Sequence, residues 1–291
     1  MKTFRFLPVF ISFLFCLSCS GTEKSEIRAS EILKILKKGG HIQMVDKIIL
    51  DDLDFTQASE LFIVNANQLQ CEINASIFFS HCIFMGKVTT NGRYTEKLPV
   101  QTSFKNNLVF SACDFRGAAH FDQTVVFGMF NFSQSVFRES ASFNHVAVWA
   151  KDSYFSEMVA EKDFSMVYAA FAGNFHCLSA RFAGNVSFQE TSFWGKLVFN
   201  QSEFKGRVGF DLISVYGNAF FHHTKFEKFA DFSSSRFLHT ADFVNTVFGG
   251  KGSFEKATFL NTARFVGVDT KNDLNMNDII TLSKIKENEN N

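Results

Sequence analysis

GNVSFQETSFW (184–194), GKLVFNQSEFK (195–205), GRVGFDLISVY (206–216) and GNAFFHHTKFE (217–227) are consecutive segments of eleven residues, and their alignment decides the fold. Phe fills the fifth place of each, and Phe or Val the tenth. The metre continues through KFADFSSSRFL (228–238), HTADFVNTVFG (239–249) and GKGSFEKATFL (250–260), and reaches upstream to NNLVFSACDFR (106–116). One unit departs from it, AKDSYFSEMVAE (150–161), which has twelve residues. Large apolar steps thus alternate between five and six, which matches neither a helix nor a strand period. A fixed short period over most of a chain means stacked identical units.

The third and eighth places hold small or medium residues, such as Val186, Leu197, Ala219, Ala230, Thr191, Ser202 and Thr224. A large residue with a smaller one two places earlier puts both on one side of an extended segment. The residue between them faces out, and there stand Ser187, Glu203, Lys225, Asp231 and Arg236. Each half-unit is therefore a very short strand followed by a corner. The expected core ladder is Phe188, Phe193, Phe199, Phe204, Phe210, Phe221, Phe226, Phe232, Phe237, Phe243, Phe248, Phe254, Phe259 and Phe265.

This metre resembles the pentapeptide-repeat family, in which a central Leu or Phe recurs every five residues with a small residue two before it. The resemblance covers roughly Ile48 to Val268, with a weak stretch at Gly86–Thr102, and includes a helix-plus-acidic-strand opening at Glu31–Phe55. The six-residue step is a departure common in the Phe-rich branch. The resemblance implies an all-β solenoid, a right-handed quadrilateral β-helix with one pentapeptide per side. Two units then make one coil of about 22 residues rising about 4.8 Å, so that residue i lies over i+22. The extra residue falls at the corner after the tenth place, where Gly173, Gly184, Gly195, Gly206 and Gly217 recur. Glycine there is expected to supply the positive φ of a bulged corner.

Organisation follows from where the metre starts and stops. Lys2 and Arg5 precede an apolar run from Phe6 to Leu17, the pattern of a signal peptide over 1–18. Ser18-Cys19-Ser20 resembles a bacterial lipoprotein cleavage site, which implies lipid on Cys19, although Cys16 stands where such sites usually carry Leu. A secreted protein with an ordinary cleaved signal is the alternative. Residues 19–25 read as a tether, 26–47 as a cap helix and lead-in, 48–268 as the repeat, and 269–291 as a C-terminal cap or tail. A second cap helix is expected from Asn277-Asp278 through Ile279, Ile280, Leu282 and Ile285.

Composition narrows function by exclusion. Forty Phe against four Tyr and two Trp is core usage, since Phe buries a large surface with no polar atom to satisfy. Without Lys2 and Arg5, 27 basic residues face 29 acidic ones. That balance gives neither a nucleic-acid footprint nor a DNA-imitating surface. Cys71, Cys82, Cys113 and Cys177 sit at inward places and read as small hydrophobes, with a Cys71–Cys82 bridge the open alternative.

No reaction centre emerges from the residues. His222 and His223 are adjacent and point to opposite faces, so they cannot share a metal. Asp231 and Asp242 are eleven apart and lie on opposite sides of the tube, away from any common substrate. Asp51, Asp52 and Asp54 lack the Gly and distal Glu of a calcium loop. Lys34, Lys37 and Lys38 form a solvated helix end or a membrane-surface contact. The expectation is a non-catalytic exported rod, with no cofactor and no metal. It is anchored to the membrane through Cys19 and docks an unknown protein partner in the bacterial envelope. The alternative is a β-helical carbohydrate-active enzyme. Gyrase binding by DNA mimicry, known for some relatives, needs an acidic, dimeric, cytoplasmic rod and so suits this neutral, exported chain less well. Partner contacts are expected where the metre breaks, at Gly86–Thr102 or at Ala150–Glu161 with Trp149, Tyr154 and Tyr168 nearby.

Overall fold

The computed structural model describes residues 24–282 and 285–286, which wind into an all-β solenoid of about 12 turns. Four sheets form its walls, with 11 strands in the first face, 9 in the second, 12 in the third and 11 in the fourth. One coil shows the plan. Val186–Ser187 lies in the second face, Ser192–Phe193 in the third, Leu197–Val198 in the fourth and Glu203–Phe204 in the first. Each pairs in parallel with residues 22 further on: Val186 with Val208, Ser192 with Ser214, Leu197 with Ala219, Glu203 with Lys225. Strands are two residues long because a corner arrives after every inward–outward alternation.

The interior is a set of ring columns. Phe188 stacks on Phe210 at 5.0 Å and 4° between planes, and Phe221 stacks on Phe243 at 4.8 Å and 1°. Phe199, Phe221, Phe243 and Phe265 form one continuous column. Neighbouring columns meet edge to face, as Phe221 and Phe232 do at 5.4 Å and 88°. Strand spacing sets the first contact and the ring quadrupole favours the second. From Thr124 onward, hydroxyls at the eighth place are buried yet satisfied, as at Ser135, Thr191, Ser202, Thr224, Ser235 and Thr246. The Phe199 carbonyl accepts the Ser202 N–H at 3.1 Å within its turn, and the Thr224 hydroxyl of the next coil at 2.8 Å. A carbonyl has two lone pairs, so the inner Ser and Thr use the one the turn leaves over.

The glycine expectation needs correcting. Positive φ recurs once per unit, but at the corner after the fifth place and on ordinary residues: Glu190 at 56°, Gln201 at 60°, Leu212 at 59° and His223 at 54°. An N–H bond from Thr191 back to the Phe188 carbonyl, 3.1 Å, closes that corner. Among the described glycines only Gly39 and Gly267 have φ in this region. At the other corner the backbones of successive coils nearly touch. A Cβ on Gly195 would stand 2.5 Å from the Gly173 carbonyl carbon, and one on Gly206 2.0 Å from the Gly184 oxygen. Glycine is there for close approach.

At the N-terminal end Ser25–Ile27 pairs with Lys47–Ile49 and leads into helix α1, Ala29–Lys37. Ala29, Ile32 and Leu36 are buried over the first coil, and Gly39 ends the helix. The aspartate cluster is used locally. Asp51 accepts the Ala29 N–H at 2.6 Å, Asp52 accepts that of Lys87 at 2.7 Å, and Asp54 that of Thr56 at 3.0 Å.

Two antiparallel hairpins project from the third face. Leu61–Asn65 pairs with Gln68–Ile73, and Asn91–Thr95 with Leu98–Phe104. Their inner strands lie parallel to each other, Leu69–Ile73 against Val100–Phe104. Ile42 therefore pairs with Ile77, and Ile77 with Leu108, across intervals longer than one coil. The second hairpin is the weak stretch at 86–102. The first breaks the metre as well, where the sequence reading had the repeat running through.

The C-terminal helix is replaced by more solenoid. Ile280–Thr281 pairs with Thr258–Phe259, and Ile285–Lys286 with Ala263–Arg264. The preceding coil offers free strand edges, and this template overrides the short helical spacing of Ile279, Ile280, Leu282 and Ile285.

Candidate functional site

Outward residues repeat with the coil, so each corner carries a column with one side chain per turn. At the corner between the third and fourth faces this column reads Phe127, Trp149, Ala172, Trp194, Tyr216, Leu238, Leu260 and Leu282. In-register pairing of the preceding residues, from Val126 and Val148 to Phe259 and Thr281, keeps it straight. Trp149 is 58 % exposed and Trp194 57 %, and Trp194 meets Tyr216 at 6.0 Å. Ala172 leaves a gap between the two tryptophans. The result is an apolar notch of about 30 Å³ between the two tryptophans, floored by Ala147, Val148 and Ala170. Exposed aromatics in a continuous patch mark an interaction surface.

The extra residue of the twelve-residue unit falls at this same corner. Val126 pairs 22 residues on with Val148, whereas Phe130 pairs 23 on with Ser153. The bulge therefore lies between them, beside a shallow depression of about 220 Å³ shared by Phe127, Met129, Lys151 and Tyr154. Of the residues the sequence placed near the insertion, Trp149 belongs to the column. Tyr168 stands on the far side of the third face, stacked on His145 at 5.1 Å. Tyr154 stacks on His176 at 5.2 Å on the fourth face. The members sequence reading missed are Trp194 and Tyr216, and coil arithmetic applied to the eleventh place would have found them.

The diagonal corner, between the first and second faces, carries Arg116, Arg138, Glu161, Lys205 and Glu227 at the equivalent place. Arg138 bridges Asp114 at 2.7 Å and Glu161 at 3.0 Å, and Lys225 bridges Glu203 at 3.1 Å and Glu227 at 2.8 Å. Hydrogen bonds to Glu227 and Glu203 raise the Lys225 ammonium above its ordinary value, and the bond from Lys225 lowers Glu227.

Two histidine–carboxylate pairs occupy the fourth face. His222 Nε2 lies 3.0 Å from Oδ2 of Asp242 without an aligned hydrogen bond, and that buried carboxylate accepts from Arg264 at 2.7 Å. Asp152 accepts from Asn174 at 2.8 Å and lies 3.2 Å from His176. The Asn174 bond, then burial and His176, set the balance that leaves the Asp152 carboxyl below its ordinary range. Asp242 follows His222 by twenty residues, a diagonal that a strict i+22 reading overlooks. The two pairs are separated along the axis by the turn carrying Val198 and Asn200, and each carboxylate is occupied by its own partners. Asp231 stands on the second face, across the tube from Asp242. Among the described residues no group of three or more His, Cys, Asp or Glu could hold a metal ion.

Cys71, Cys82, Cys113 and Cys177 are buried free thiols. Cys71 contacts the Ser59 hydroxyl at 3.2 Å in the third-face wall, while Cys82 lies in the first-face wall beside Cys113 of the next coil. Burial raises the thiols of Cys113 and Cys177 well above their ordinary value. The core ladder from Phe188 to Phe265 lines the tube, 0–7 % exposed. Cys19 and the apolar run before it lie outside the described residues. Lys34, Lys37 and Lys38 are exposed on and just after α1. Among the described residues no helix is long and apolar enough to cross a membrane.

No protein-family profile, curated protein or solved structure matches the chain.

Proposed function

We propose that the protein is a non-catalytic, pentapeptide-repeat-like scaffold of the bacterial envelope, exported by residues 1–18 and held to a membrane by lipid on Cys19. The observation that carries this reading is the distribution of surface character: one long aromatic edge, one long charged edge, and the fourth-face carboxylates Asp152 and Asp242 already held by their neighbours. Repeat solenoids act through extended surfaces. A glycan-cleaving site would instead need carboxylates converging across a cleft. The His222–Asp242–Arg264 and Asp152–Asn174–His176 sets lie on one wall, where each carboxylate is held by its own neighbours.

The test is capture from envelope extracts with the purified protein after reversible cross-linking. A stoichiometric protein partner is expected. Turnover of an envelope glycan with no partner recovered overturns the scaffold reading. Palmitate labelling in cells tests the anchor separately: Cys19→Ser abolishes incorporation, and unchanged labelling refutes lipid at that residue.

A further inference from the structure

We infer that the aromatic corner is a membrane-docking edge, on which the rod lies flat against an anionic bilayer surface. The inference goes beyond the scaffold reading and does not need acylation at Cys19. It assigns an orientation, with the charged corner turned away from the lipid and open to partners.

Shape, chemistry and charge support it together. The column from Phe127 to Leu282 spans seven rises, about 34 Å, in a straight line along the axis. A flat, extended partner touches such a line along its whole length. The side chains are those that settle at a membrane interface, with indole and phenol near the headgroups and Leu deeper. A protein partner needs roughly one hydrogen bond per 100–200 Å² of contact. This edge offers few polar groups, because its backbone is spent on the ladder and its floor is Ala147 and Ala170.

Charge narrows the partner further. Lys105 holds its ammonium 4.7 Å from the Phe127 ring centroid, Lys151 borders the adjoining depression, and Lys196 stands exposed two residues after Trp194. Among the described residues the carboxylates beside them at this corner are Asp152, already held by Asn174 and His176, and Glu72, which bridges Lys105 at 3.0 Å. Two copies of the edge would bring these lysines against one another, so self-association is disfavoured. Lysine stems lie along apolar surface while the ammonium reaches anionic headgroups.

The experiment uses the full-length chain with vesicles of phosphatidylcholine alone or mixed with phosphatidylglycerol, following tryptophan emission. Trp149 and Trp194 are the two tryptophans of the sequence, so the signal reports this corner and ignores whatever the N-terminal segment does. Anionic vesicles are expected to shift the emission to the blue, and bromine-labelled acyl chains to quench it. Replacing Lys151 and Lys196 by Ser weakens the partition behind that response by roughly thirtyfold. Circular dichroism and melting show whether that variant stays folded. Arg116→Ser with Arg138→Ser, on the other corner, leaves the response unchanged. Vesicles that capture the protein while its emission stays at the water value overturn the inference. So does a blue shift without bromine quenching, the signature of coverage by protein, and so does an equal response to neutral vesicles. Cys19→Ser separates the two ideas, since it removes the lipid and leaves the tryptophan response in place.

Discussion

Trp194 and Lys205 occupy the same place in consecutive eleven-residue units, above Phe193 and Phe204, which are equally buried. One belongs to an aromatic edge and the other to a charged edge diagonally across the tube. The walls beneath them pair alike, Phe193 with Val215 and Phe204 with Phe226. The fold makes the same demand at both corners, so it does not account for their difference. Packing fixes the inside of every unit, while the eleventh place is free of it and can record function.

The largest effects should test whether the interior is equivalent under the two edges. Phe193→Ala and Phe204→Ala should each cost about 3–5 kcal/mol in urea unfolding. A loss at one site more than twice that at the other would break the equivalence. Next come the corners themselves. Gly195→Ala under the aromatic edge and Gly206→Ala under the charged one push a Cβ into the backbone of the coil below, and each should cost about 1–3 kcal/mol. Tolerance of Ala at one corner alone would show that the coils are spaced differently there.

Smaller effects should separate the edges. Arg138→Ala removes the bridge between Asp114 and Glu161, a partly exposed contact worth less than about 1 kcal/mol. That loss should shrink in high salt, whereas Trp149→Ala should respond little to salt. The smallest effect concerns pH. Glu227 has a lowered folded value, so its contribution is present above the ordinary Glu range and fades as pH falls through the lowered one. Lys225, with a raised value, contributes below the ordinary Lys range and loses that as pH rises through the raised one. Glu227→Gln should therefore flatten the acid side of a melting-temperature profile. A profile identical to that of the unsubstituted chain would show that solvent screens the pair completely.

How much of this was legible depended on whether a residue answered to the period. Phe at places five and ten is repeated so often that a stack of short strands follows from spacing, while the four walls follow from the pentapeptide-repeat resemblance. The glycines were noticed for the right corner and the wrong reason, since a sequence shows recurrence but not the approach of two backbones. Ile279, Ile280, Leu282 and Ile285 fit a helix locally. Only the waiting edges of Thr258–Phe259 and Ala263–Arg264 turn Ile280 and Ile285 into strand. Leu61–Ile73 was missed because an inserted hairpin of alternating apolar residues looks like more of the wall. The aromatic edge was half visible: Trp149 drew attention beside the insertion, but joining it to Trp194 and Tyr216 requires following one outward place through several coils.

The coil contains two sequence units, and this gives the rod a phase. Deleting residues 217–227 would leave ring upon ring inside, yet rotate everything beyond by half a circuit. Leu238 and Leu260 would then continue the line of Lys205, and the aromatic stripe would end at Tyr216. A single added residue does no such damage, since the bulge after Trp149 takes it up locally. Length can therefore change only in double units if the stripe is to stay unbroken, and a half-step error would be silent in folding assays and visible only on the outside.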